Sequence, residues 1–172
     1  MLDQDKEYPK ETESRSVIRF QDCDPLRHLN NAKYFDYFFN AREDQTTQLY
    51  GVRPGDIFQK YKAGWVVYQH QIAYVKPAMV GEWVRIMSRI IFYNEDTVVV
   101  EYYMTDDSKV NLKTLLWTSL KYVEVGSGMK RKHHDEIMAY LDKISLHGQN
   151  FSEMDINSRI KEIKEYLKKQ YS

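Results

Sequence analysis

Two aspartates flank the chain's one cysteine in a run that ends in proline, Asp22-Cys23-Asp24-Pro25. A carboxylate in such a turn can serve as a general base, as a nucleophile, or as an acceptor for its own backbone, and its placement decides which. Asp24 stands a few residues before a segment that reads as a long helix. Free peptide N–H groups and the positive dipole end at that helix start favour a developing oxyanion. The plainer reading of Asp24 is a turn residue before proline. Asp22 shares a face with Asp24 if the strand leading into the turn persists that far, and it either raises the neighbouring pKa or orients the loop through hydrogen bonds. Loop orientation is the preferred role, because Asp is common where a strand becomes a turn. Cys23 alternates to the opposite face, and the carboxylates beside it raise its pKa, which argues against a thiolate nucleophile. One cysteine also leaves no internal disulfide and no partner thiol for a metal, in keeping with a reducing compartment.

His28, in the loop after the proline, is a candidate to bond substrate or to orient water. Asn30 and Asn31 follow as N-cap types, with capping the expected job of Asn31. His133-His134-Asp135 has the composition of a metal site, but adjacent residues on a helix do not converge on one ion, so a capped or exposed helix start is expected and no metal is assigned. No cofactor is called for.

The elements that must position these residues are marked by alternation and punctuation. Residues 1–14 read as a polar leader, and Ser16 to Phe20 as an opening strand. Asp24 is pushed out of helical geometry by Pro25, and the chain turns there. The helix runs from Ala32 to about Leu49, with Gly51 as its stop. Its first half is apolar almost all round, with Tyr34, Phe35, Tyr37, Phe38, Phe39 and Ala41, as expected of a helix wrapped by other elements. A loop with Pro54 and Gly55 follows, then four segments rich in Val, Ile, Tyr and Trp at about 65–75, 82–93, 96–105 and 112–125. Turn signals between them give successive antiparallel hairpins. Helical patterns recur at about 133–144 and 153–169. The fold class is therefore α+β, an antiparallel sheet curled around a long central helix, with extra C-terminal helices. Too few elements remain to cover the helix and the strand edges, so a homodimer or homotetramer is expected.

The stretch Arg19-Phe20-Gln21-Asp22-Cys23-Asp24-Pro25-Leu26-Arg27-His28-Leu29-Asn30-Asn31-Ala32-Lys33-Tyr34 resembles the signature of the 4-hydroxybenzoyl-CoA thioesterase-like branch of the hotdog superfamily. A second block, Ile72-Ala73-Tyr74-Val75-Lys76-Pro77 with Gly81-Glu82, resembles that family's strand, tight turn and following strand. The likeness covers about residues 15–125, which divides the chain into a leader (1–14), a hotdog domain (15–128) and a helical extension (129–172). It implies hydrolysis of acyl-CoA or acyl-carrier-protein thioesters, with Asp24 as the carboxylate and His28 in the active-site loop. Asp22, Arg27, Asn30, Asn31 and Tyr34 then bind substrate or orient the loop. Arg27 stands where the family usually has glycine, a position that disfavours arginine if it requires positive φ. That departure motivates one alternative, a non-catalytic acyl-thioester-binding module; a hydroxyacyl-thioester dehydratase or hydratase is another, against which the paired aspartates argue.

Lys plus Arg and Asp plus Glu both number 25, so no general affinity for nucleic acid or anionic membrane is expected, and any anion site must be local. Lys130-Arg131-Lys132 and the pair Arg85 and Arg89 are the two candidate basic clusters for a phosphorylated or acidic thioester donor, although such clusters are usually solvated faces. Tyr34, Phe35 and Phe38 form a helix face that could line an acyl tunnel, although core packing accounts for the same residues more simply. With no signal-like apolar core at the N-terminus and no membrane-length apolar run, a cytoplasmic location is expected.

Overall fold

The computed structural model describes residues 7–147 and 150–171. Five antiparallel strands form one sheet: β1 Glu11–Val17, β2 Ala63–Tyr74, β3 Trp83–Tyr93, β4 Thr97–Asp106 and β5 Leu112–Glu124. Their spatial order is β1-β3-β4-β5-β2, so β1 and β2 are the two edges. Register shifts at Val67/Gln69, Ile90/Phe92 and Met104/Thr105 let one strand bend against the next, which is how a flat ladder becomes a curl. The helix α1, Lys33–Tyr50, lies in the concave side and ends on Gly51 at φ 65, whose N–H bonds Thr47 O.

Alternation along the central strands sorts the core into two layers. Ile86, Ile90, Val98, Val100 and Tyr102 face α1, whereas Met87, Ile91, Val99 and Tyr103 face outward. Both sets are buried, because the C-terminal helix α4, Ile156–Tyr171, lays Ile156, Ile163 and Leu167 on the outer side. That helix therefore docks on the chain's own sheet. A charged row crosses the same face: Glu11 of β1 opposes Arg89 of β3, which opposes Glu101 of β4, which opposes Trp117 of β5. Arg159 of α4 caps the row, and the fully buried Glu101 carboxylate accepts from Arg89 Nε at 2.8 Å, Arg159 Nε at 2.9 Å and Trp117 Nε1 at 2.9 Å.

Several expectations shift. The first strand begins at Glu11 rather than Ser16, so residues 11–14 of the expected leader are paired with β3; residues 1–6 lie outside the described residues. Pro54–Tyr61 is a helix, α2, where a loop was expected. Its proline sits in the first turn, where a missing N–H costs nothing.

The helix α3, Asp135–Ile144, starts after His134, but its approach is not solvent-exposed. His133 is buried, accepting from Trp65 Nε1 on Nε2 at 2.9 Å and bonding Asn94 O through Nδ1 at 2.9 Å. Burial holds its pKa below the ordinary 6.5. The folded state thus binds this proton less readily than the unfolded chain, so the contribution of His133 is full above the unfolded value and declines as pH falls below about 6.5. Thermal melts over that range should show stability falling with acidity, with a shallower slope in His133→Gln; equal slopes would remove His133 from the effect.

Candidate active site

The loop between β1 and α1 is held by two sets of hydrogen bonds. Asp24 N donates to His28 O at 2.8 Å and Arg27 N to Asp24 O at 2.9 Å, while Asp24 Oδ1 accepts from the N–H groups of Leu26 at 2.9 Å and His28 at 3.0 Å. Closing so tight a turn puts Arg27 at φ 65, the left-handed region that glycine adopts freely. The arginine takes that conformation at a cost of about 1–2 kcal/mol, and the path of the loop follows. Asp24 Oδ2 takes no hydrogen bond among the described residues.

The second set comes from the turn between β2 and β3. Leu29 N bonds Ala78 O, Val80 N bonds Arg27 O, and Gly81 N bonds Ile18 O, so residues 78–81 are laced to the loop along its length. Tyr34 is buried in α1, and its hydroxyl accepts from Ala78 N at 3.1 Å. It orients this turn instead of facing a tunnel. Glu82 accepts from Met79 N at 2.8 Å and pairs with Lys113 at 2.7 Å, bracing the turn from β5.

Asp22 does what a loop-orienting carboxylate does. It accepts from Tyr37 Oη at 2.9 Å, and the same hydroxyl accepts from Arg19 N at 2.9 Å. Burial first, with the Asp22 carboxylate adding to it, pushes the Tyr37 phenol up to about 12, so it stays a donor. Cys23 bonds Arg19 O at 3.3 Å, and burial followed by Asp22 and Asp24 raises its thiol.

At the helix start the capping assignment changes hands. Asn30 Oδ1 accepts from Ala32 N at 3.0 Å and Asn30 O from Lys33 N at 2.8 Å. The Asn31 side chain caps nothing, and its peptide N–H has no acceptor among the described residues; its carbonyl accepts from Tyr74 Oη at 2.9 Å. The last residue of β2, the edge strand, is thereby tied to the segment between the loop and α1.

Neither expected basic cluster is free. Lys130 meets Asp96 at 3.3 Å, Arg131 meets Glu124 at 3.6 Å and Lys132 meets Glu95 at 2.6 Å. Arg85 is shared by Asp107 and Glu13, and Arg89 by Glu11 and Glu101. By contrast, Arg19 and Arg27, on either side of the aspartates, are exposed and have no ion pair among the described residues.

Two larger cavities flank α1, and neither has Asp24 or His28 in its wall. A polar cleft of about 350 Å³ lies toward β1 and includes Asp22, Tyr37, Asn40 and Asp44. An apolar cavity of about 430 Å³ lies on the opposite flank and takes Phe39, Arg42 and Thr46 from α1. Tyr34 and Phe38 belong to the core and Phe35 packs against it, in line with the simpler of the two expectations for that face, and the cavity begins at Phe39. No cluster of potential metal ligands occurs among the described residues.

The chain matches the model of the Thioesterase-like superfamily over residues 18–132, more than half its length, and belongs to that family. None of the curated proteins matches it. Among solved structures it is similar to YbaW, a probable thioesterase from Escherichia coli, at 16% identity and a TM-score of 0.68, covering 78% of this chain and 98% of that one. A 1,4-dihydroxy-2-naphthoyl-CoA thioesterase from Synechocystis aligns at 10% identity and 0.69, covering 78% and 97%. A 12:0-ACP thioesterase from Umbellularia californica aligns at 12% identity and 0.72, covering 84% of this chain and 55% of that one. At these identities the likeness is one of fold, and the fold is the hotdog.

Proposed function

We propose that the chain hydrolyses acyl thioesters of CoA or of an acyl carrier protein, with Asp24 as the acting carboxylate. The observation that carries this reading is the Asp24 carboxylate itself, in the loop before α1: one oxygen is clamped by two peptide N–H groups, and the other has no partner among the described residues. Membership of the Thioesterase-like superfamily supports it. Asp24 takes a proton from water as the water oxygen attacks the acyl carbon, or attacks that carbon itself to form an anhydride that water then opens. In the first course the carbon–sulfur bond breaks as Asp24 passes the proton it took from water to the departing sulfur; in the second the sulfur leaves as thiolate and takes up the proton released when water opens the anhydride. In this reading the Asn31 N–H, which has no acceptor among the described residues, donates to the developing oxyanion. Arg19 and Arg27 are the free cations beside it for phosphate groups of the donor.

The open edge of β2 supports a second copy as part of the working unit. Val66, Val67 and Tyr68 are exposed there in succession, at 47%, 52% and 69%, and Tyr74 ties the same strand to the loop. Such an edge is satisfied by symmetric pairing with another β2. Thiol release from acyl-CoA and acyl-carrier-protein panels, together with the particle mass in solution, tests both parts. Activity on at least one donor and a dimeric mass are expected. Acyl-CoA binding without any release would favour the non-catalytic module, and a monomer that turns over substrate would overturn the pairing.

A further inference from the structure

We propose that the apolar cavity beside α1 receives the far end of the acyl chain and that Tyr140 of α3 is the residue that limits its length. The substrates are then thioesters of long, unbranched apolar acids. This inference rests on the thioesterase reading above.

The argument begins with distance along one helix. Asp24 lies in the loop that leads into α1, and the α1 residues of the cavity wall run from Phe39 to Thr46. Counted from Lys33, those positions lie about 9 Å and about 20 Å along the axis. A short acyl group bonded at Asp24 ends before the cavity, whereas a long one enters it. The walls suit a hydrocarbon: Val98, Val100 and Leu120 rise from the sheet, and Ile57 stands on the side of α2. Two charged residues share the lining: Glu43 is exposed, and the guanidinium of Arg42 is directed to Ser88 Oγ at 3.1 Å and to the Tyr50 ring, 5.9 Å from its centroid. What Arg42 offers the cavity is its stem.

The far end is built differently. Tyr50 is the last residue of α1, and Tyr140 packs edge-on against it with ring centroids 6.3 Å apart. Tyr140 and Leu141 are buried and line the cavity there. Both lie beyond residue 132, where the family match stops, so the stop is a property of this chain's own tail. An aromatic ring across the end of an apolar tube admits methylenes up to a fixed number and excludes the next.

The test measures kcat/KM for a series of saturated acyl-CoAs, butanoyl to octadecanoyl, with the full chain. Once the chain reaches the cavity, the constant should rise by about fourfold per added methylene and then fall abruptly. Tyr140→Ala should move the fall to longer chains, and Tyr140→Phe should leave it in place. Leu120→Trp fills the cavity from the sheet side and should move the fall to shorter chains, which keeps the test intact if Tyr140→Ala does not fold. A profile without a fall, or a fall unmoved in both folded variants, overturns the proposal. Calorimetric titration with the corresponding free fatty acids separates the two readings. If no thioester is cleaved but fatty-acid binding shows the same Tyr140-dependent limit, the hydrolase reading fails and the cavity assignment stands.

Discussion

Replacing Asp24 with asparagine should lower thiol release by about 10²–10⁴-fold, the range expected when a positioned proton acceptor or carboxylate nucleophile is removed. The substitution is suited to the question because asparagine keeps an acceptor for the Leu26 and His28 N–H groups, so the turn survives. Melting temperature should therefore stay near that of the parent while kcat collapses and KM changes little. Single-turnover hydrolysis in heavy-oxygen water tests for one course directly: label in the Asp24 carboxylate identifies direct attack with the anhydride opened at the aspartyl carbon, and label only in the released acid excludes that opening. A variant that keeps more than a tenth of its parental rate would take Asp24 out of the chemistry.

The second large effect is on stability. Burial alone would raise the Glu101 pKa, but the Arg159 hydrogen bond and the charges of Arg89 and Arg159 outweigh it and hold the carboxyl below its ordinary range. Glu101→Gln keeps the shape and removes the charge, leaving two guanidinium groups facing a neutral amide inside the sheet-helix layer. Breaking a buried pair this way typically costs about 3–5 kcal/mol. For a chain of this size that is roughly 6–20 °C in melting temperature. Because the folded pKa is depressed, the contribution is present above the unfolded value and is lost as pH falls through the folded one. The parent should lose stability in acid more steeply than the variant. A melting point within about 1 °C of the parent would show that the clamp contributes nothing net, the result known for many exposed pairs.

Local rules made much of this legible. The helix and the four long strands fall within two residues of their expected bounds, since Gly51 and the hairpin turns punctuate an alternating pattern. Arg27 was flagged by its type alone, and its φ of 65 is the conformation that the glycine position requires. The failures have a common cause. Tyr37, Tyr74 and Glu82 shape the loop from other elements, and no spacing in the sequence brings Tyr74 Oη to Asn31 O across 43 positions. The basic residues looked available because their acidic partners lie on distant strands. Pro54 was read as punctuation although a proline also opens helices, and that signal was present. His133 was misplaced because its burial depends on Trp65, on the far side of the sheet sequence.

A β-sheet can recruit another molecule sideways, through an unpaired edge, or outward, through a bare face. In this chain α4 has already occupied the outward route. If β2 pairs as proposed, joining two copies uses one of the two edges, and β1 remains the other. The tail thereby covers the face on which sheets would otherwise stack, and leaves edge pairing as the way in which copies of this sheet can join.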